Sequence, residues 1–170
     1  MGSPWITPPS TDGSFSWRLD ETYIRVKGEW HYLYRAVDKD GQTIDFLLTE
    51  RRNERAALHF LTKAIRRHGV PEKITIDGSE ANAAAIRSYN EAHGTAIEIR
   101  QVKYLNNLVE QDHRAVKRVS RPMLGFKSFE AAQATLVGIE LMHMLKKGQI
   151  VIEEGMAGLT PAEQFYALAA

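Results

Sequence analysis

From Trp17 to Thr49, apolar and β-branched residues alternate with polar ones in three runs, WRLDETYIRV, EWHYLYRAVD and TIDFLLT. This is the two-residue period of half-buried strands. Lys27-Gly28 separates the first two runs and Asp38-Lys39-Asp40-Gly41 the second and third, so three antiparallel strands joined by tight turns are predicted. The Asp-x-Asp-Gly stretch matches the start of a calcium loop, but the later ligands of such a loop do not follow, and a turn is the reading retained. The period then changes. Ala56, Ala57, Phe60, Leu61, Ala64 and Ile65 recur at helical spacing behind Asn53, an N-cap residue, and the pattern stops at Gly69 before Pro71. Lys73 to Asp77 is a short buried strand, Glu80 to His93 an Ala-rich helix ended by Gly94, and Ile97 to Val102 a fifth strand. A helix follows over Leu108 to Val119. Pro122 and Gly125 break the pattern, Ser128 caps a long helix from Phe129 to about Lys147, and Thr160-Pro161-Ala162-Glu163 opens a last helix as a capping box.

The resulting order, β-β-β-α-β-α-β-α and then further helices, predicts an α/β domain. Its mixed five-stranded sheet has three antiparallel strands, then two parallel additions, with helices around it and extra helices at the C-terminal end. With 170 residues, 44% of them apolar and 25% charged, the chain holds one sizeable core. Residues 1–15, rich in Pro, Ser, Thr and Gly, are expected to be a disordered leader or cloning scar. Residues 16–149 form the core and 150–170 a tail with its helix. The absence of cysteine excludes disulfides and thiolate metal sites and suits a cytoplasmic location. No apolar run reaches the length of a membrane span, so no membrane partner is expected.

The net charge of +1 conceals an uneven distribution. Glu50 to His68 carries Arg51, Arg52, Arg55, Lys63, Arg66 and Arg67 against two acids, and Glu98 to Lys127 carries seven Lys and Arg against three acids. Each run alone reads as a solvated face. Together they suit a phosphate backbone. Two acids stand where acids are out of place: Asp20 within WRLDETY, and Asp77 at the end of ITID, the carboxyl end of a strand where open α/β sheets place their sites. In YLNNLVEQDHRAVKR the helical period gathers Glu110, His113, Arg114 and Lys117 on one side. Read in isolation, Glu110 is an ordinary surface acid and the cations a solvated helix face. Of the six histidines only His113 stands close to a candidate acid, and none forms a metal-ligand pair. Trp17, Trp30, Tyr32 and Tyr34 suit core or cross-strand packing better than base stacking.

The stretches WRLDETYIRVKGEWHYLYRAVD, ITIDGSEAN, and KYLNNLVEQDHRAVKR with RPMLGFKSFEAAQATLVGIELMHMLKKGQ resemble the catalytic domain of small bacterial insertion-sequence transposases with an RNase H-like DDE core. The resemblance runs in order over about Ser16 to Gln149. It implies an RNase H-like fold in which Asp20, Asp77 and Glu110 are the catalytic acids and metal ligands. All-oxygen donors favour Mg²⁺ or Mn²⁺, with two ions at such a site. The implied reaction frees a 3′-hydroxyl at a transposon end and joins it to a target phosphodiester. Lys117, two helical turns past Glu110, matches the family's basic DNA contact, with Arg114 and Arg118 as weaker candidates. DNA, both transposon ends and target duplex, is the implied partner. The chain is expected to work as a homodimer, without a small-molecule substrate.

Two departures bear on this carry-over. Relatives carry a DNA-binding segment before the core, where only the short leader stands here, and Gly78 occupies a position where many relatives have Lys. The first makes a truncated or repurposed fragment, binding DNA or partner transposase without catalysis, the alternative reading. An RNase H-like nuclease acting on RNA–DNA hybrids is a third.

Overall fold

The structure, a computed structural model, describes residues 15–102, 107–120 and 125–148 together with Thr160 and Glu163, the side chains of 107–110 and 119–120 excepted. The three antiparallel strands are β1 (Ser16–Val26), β2 (Glu29–Asp38) and β3 (Thr43–Thr49). Lys27 and Gly28 both have positive φ, 51° and 75°, the turn geometry whose twist matches that of the strands it joins. In the next turn the Asp38 carboxylate accepts from the backbone N–H of Asp40 and of Gln42, each at 2.9 Å. The aspartate closes a turn.

Helix α1 (Glu54–His68) leads to β4 (Lys73–Ile76), α2 (Glu80–His93) and β5 (Glu98–Gln101). β4 lies parallel to β1 and β5 parallel to β4, so the strand order is β3-β2-β1-β4-β5. This is the mixed α/β sheet that the pattern predicts. Helices α3 (Asn107–Ser120) and α4 (Phe129–Lys146) follow. The expected caps are present: Asn53 accepts from the Ala56 N–H and Ser128 from the Ala131 N–H. Thr160 and Glu163 make the reciprocal bonds of a capping box. Residues 1–14 of the leader and the rest of the tail lie outside the described residues. Among the described residues no helix is long and apolar enough to cross a membrane.

Alternation along the strands gives the sheet two apolar faces. On one, Trp17, Leu19, Tyr34, Ala36, Ile74 and Ile76 pack against Phe60 and Leu61 of α1 and Ile86 and Tyr89 of α2. On the other, Ile24, Val26, Leu33 and Leu48 meet Val116 of α3, Phe126, and Ala132 and Leu136 of α4. Each fully buried large side chain contributes about 1.5–3 kcal/mol. The sheet is therefore the middle of three layers.

The second face also holds charge. Arg35, in the middle of β2 and 0% exposed, donates Nη1–H to Glu140 Oε2 at 2.8 Å and to Asp112 Oδ2 at 3.2 Å, and Nη2–H to Glu140 Oε1. Asp112 belongs to α3 and Glu140 to α4. Lys147 completes the set, donating to Asp112 Oδ2 at 2.6 Å, the Gly41 carbonyl at 2.8 Å and Thr43 Oγ1 at 3.2 Å. Two cations and two carboxylates balance. Burial pushes the Glu140 carboxyl above its ordinary range, with Arg35 pulling the other way. Removing one partner of such a pair leaves a buried charge uncompensated. Glu140→Ala is therefore expected to lower unfolding free energy by about 3–5 kcal/mol. The double variant Arg35→Met/Glu140→Met should lose clearly less, as read from urea unfolding curves of the two proteins.

Candidate active site

Asp20 lies on β1, on the face covered by α3 and α4, with its side chain 23% exposed. Its cross-strand partner is Arg35. On the other side of β1, the parallel ladder to β4 pairs Ser16 with Lys73, Trp17 with Ile74 and Arg18 with Thr75. The same offset carried two residues further sets Asp77 level with Asp20. Asp77 follows Ile76 directly, at the carboxyl end of β4, and is exposed. Neighbouring strands lie about 4.8 Å apart, and residues level in a parallel pair face the same way. The register thus sets the first two candidate acids level with each other on neighbouring interior strands, at the carboxyl end of β4.

The third candidate, Glu110, falls in the first turn of α3. Its side chain lies outside the described residues. The next turn of α3 is docked over Asp20: His113 Nδ1 stands 3.7 Å from Asp20 Oδ2. His113 is buried, with Nε2 lacking a protein partner. Burial first, then the fields of Arg35 and Lys117, push its pKa down to about 3. The contact is accordingly that of a neutral imidazole with a carboxylate and not an ion pair. Asp112, the residue before His113, is held by Arg35 and Lys147, so the buried charge cluster fixes how α3 sits on β1.

Of the basic candidates, Lys117 is half-buried one turn beyond His113, and Arg114 and Arg118 are exposed. Arg118 borders a groove of about 430 Å³ between α3 and α4, beside His143 and Lys146. The two basic stretches of the sequence do not form one surface around the acids, because α1 and α3 cover opposite faces of the sheet. Several α1-side cations are also engaged: Arg52 with Glu21, Lys63 and Arg67 with Asp45. Of the aromatic residues, Trp17 and Tyr34 are core, whereas Trp30 is 53% exposed. Sequence reasoning missed the Arg35, Asp112, Glu140 and Lys147 cluster. The available signal was a charged residue inside an apolar run, Arg35 in YLYRAVD and Glu140 in LVGIELM.

As a donor set, Asp20 and Asp77 are carboxylates with no thiolate nearby, which fits a hard divalent cation. No group of three or more His, Cys, Asp or Glu suited to a metal occurs among the described residues.

Comparison with known proteins gives a consistent picture. The family described as "DDE domain" matches residues 14–149. The transposase for insertion sequence-like element IS431mec from Staphylococcus aureus is 40% identical over 141 residues, 78% of this chain and 58% of that protein. The transposase for insertion sequence element IS257 in transposon Tn4003, also from Staphylococcus aureus, matches to the same extent. The chain thus spans 58% of the length of these relatives. Among solved structures, the catalytic core domain of BIV integrase superposes with a TM-score of 0.57 at 19% identity, over 92% of this chain and 97% of that one. The HTLV-2 integrase catalytic core in complex with magnesium (dimeric form) gives 0.51 at 18% identity, over 62% and 68%. These two similarities establish the fold as that of integrase catalytic cores.

The neutral His113 gives the fold a pH dependence. Its folded-state pKa of about 3 lies below the ordinary 6.5, so between those values the unfolded chain binds the extra proton. Stability from this group is complete above about pH 6.5 and falls toward pH 3, by up to ~1.4 kcal/mol per pH unit. His113→Asn should flatten the dependence of unfolding free energy on pH between these limits by about one proton, as measured by urea unfolding at several pH values. The lowered values of His68 and His143 leave a residual slope of the same sign.

Proposed function

The chain belongs to the DDE-domain family of bacterial insertion-sequence transposases, and on that premise we propose that it is the catalytic core of a DNA transposase. It nicks DNA at transposon 3′ ends and transfers the freed strand into target DNA. What supports this reading is the β1 to β4 register, which carried two residues past the ladder sets Asp77 level with Asp20, together with α3 docked over Asp20.

Asp20, Asp77 and Glu110 would hold Mg²⁺ or Mn²⁺, two ions in the fully loaded site. Such ions supply Lewis-acid stabilisation of charge on the attacking and leaving oxygens of an in-line displacement. In the first reaction a water oxygen attacks phosphorus, the bond from phosphorus to the 3′-oxygen breaks, and a 3′-hydroxyl and a 5′-phosphate result. In the second, that hydroxyl attacks a target phosphodiester, exchanging one P–O bond for another. The chain's own contribution is largely placement. β1 and the end of β4 would present two carboxylates from a rigid sheet, Glu110 of α3 would supply the third, and the neutral His113 steadies the Asp20 carboxylate without contributing a competing positive charge. Lys117, on the same helix as Glu110, contacts the phosphate next to the cleaved bond, with Arg114 and Arg118 extending the contact along the backbone. Two DNA ends have to be handled together, which favours a pair of chains.

The test is nicking of a duplex carrying the element's end, with Mg²⁺ or Mn²⁺ supplied. Glu110→Gln, Asp20→Asn and Asp77→Asn should each abolish nicking while leaving thermal unfolding and nonspecific DNA retention nearly unchanged. Nicking that persists undiminished in any of the three overturns its assignment. Preferential cutting of RNA–DNA hybrid would make the chain a nuclease of the same fold. DNA retention without nicking by the unaltered chain would favour a binding fragment.

A further inference from the structure

Successive residues of a strand face opposite ways, so Glu21 turns away from Asp20 to the α1 and α2 side of the sheet. There its side chain is 4% exposed and accepts two hydrogen bonds. Asn82 Nδ2 donates to Oε2 at 3.0 Å, and Arg52 Nε donates to Oε1. Arg52 also donates to the Tyr23 hydroxyl at 3.2 Å. Asn82 is 1% exposed in the first turn of α2, and its backbone N–H reaches Ser79 Oγ, the α2 cap, at 3.4 Å. Ser79 is two residues past Asp77.

The β1 to β4 ladder ends at Arg18 and Thr75, two residues short of the acids. Beyond it, the Val102 N–H donates to the Ile76 carbonyl at 3.2 Å and holds the end of β4 on its β5 side. On the β1 side, Asn82 of α2 reaches past the end of the ladder and bonds Glu21. The orientation of the Asn82 amide follows from its charged acceptor, which leaves Asn82 Oδ1 buried without a partner. An unmet buried acceptor costs about 1–3 kcal/mol.

We propose that Glu21 and Asn82 are positioning residues for the acidic pair: their hydrogen bond sets where Asp77 stands relative to Asp20, and hence the affinity of the site for its divalent cation. This rests on the reading of Asp20 and Asp77 as cation ligands. Glu21, although adjacent to Asp20 in sequence, is a brace and not a ligand.

The test is Mn²⁺ binding by isothermal titration calorimetry, with thermal unfolding in the absence of Mn²⁺ recorded for every variant. Asn82→Asp sets carboxylate against carboxylate and should weaken Mn²⁺ binding by about 10- to 100-fold, the range for partners that orient metal ligands. The double variant Glu21→Gln/Asn82→Asp exchanges donor and acceptor, since the amide now at position 21 donates to the carboxylate at position 82. It should regain binding close to that of the unaltered chain. Should Asn82→Asp unfold, Asn82→Leu replaces it, a change that removes both the donor and the unpaired oxygen. That variant should stay folded and show the same loss. Unweakened Mn²⁺ binding in a folded position-82 variant, or a double variant no better than Asn82→Asp, overturns the proposal. Asp20→Asn separates the two levels: if it binds Mn²⁺ like the unaltered chain, the ligand assignment fails and the brace loses its premise. If it loses binding while the Asn82 variants do not, only the brace fails.

Discussion

The buried guanidinium of Arg35 is the constraint on which the rest of this domain is arranged. It stands in the middle of β2, fully removed from water, and its bonds end on two different helices, Glu140 of α4 and Asp112 of α3. A charge placed there is tolerable only with both carboxylates in position. Apolar packing between α3, α4 and the sheet is non-directional and would allow the helices to slide. The guanidinium fork, with its fixed donor directions, selects one placement. Lys147 adds a second cation and ties the same carboxylate of Asp112 to the turn between β2 and β3.

The candidate site draws on this arrangement at close range. Arg35 is the cross-strand neighbour of Asp20, and Asp112 is the chain neighbour of His113, which faces Asp20. The residues that lock the helix therefore alternate with those that face the site: 35 beside 20, 112 beside 113. A similar division holds on β1 itself, where Asp20 faces α3 and Glu21 faces α2. Position along an element decides which carboxylate is tied into the interior and which stays partly exposed.

Much of the framework was legible in the sequence because it depends on local rules. The period of WRLDETYIRV and EWHYLYRAVD gave β1 and β2, Lys27-Gly28 their turn, and Asn53 and Ser128 stand as the helix caps. The placements of Asp20 and Asp77 follow from strand order and register once the parallel pairing is known. What was not legible depends on partners far away in the chain. Nothing near Arg35 announces Glu140, 105 residues later, or Asp112, 77 residues later. Charge counting along the sequence likewise grouped the cations of α1 with those of α3, although the sheet separates them. The sequence pattern singled out His113 among the six histidines only for its place one turn beyond Glu110. Its significance comes from a distance across the α3 to β1 contact.

The reach of the Arg35 contacts has a consequence for the chain as it is made. β1 and β2 leave the ribosome while α4 has yet to be synthesised, since domains emerge from their N-terminal side first. Until Glu140 arrives, Arg35 has no buried place to occupy, and the face of the sheet that carries Asp20 has no permanent cover. Long-range contacts of this kind also delay folding until late in the chain. A ribosome-bound fragment ending before α4 would carry Asp20, Asp77 and Glu110 in full and still lack Glu140 and Lys147, the partners that complete the charge cluster beneath α3. The covering of the sheet face that carries Asp20 is thereby timed to the completion of the domain.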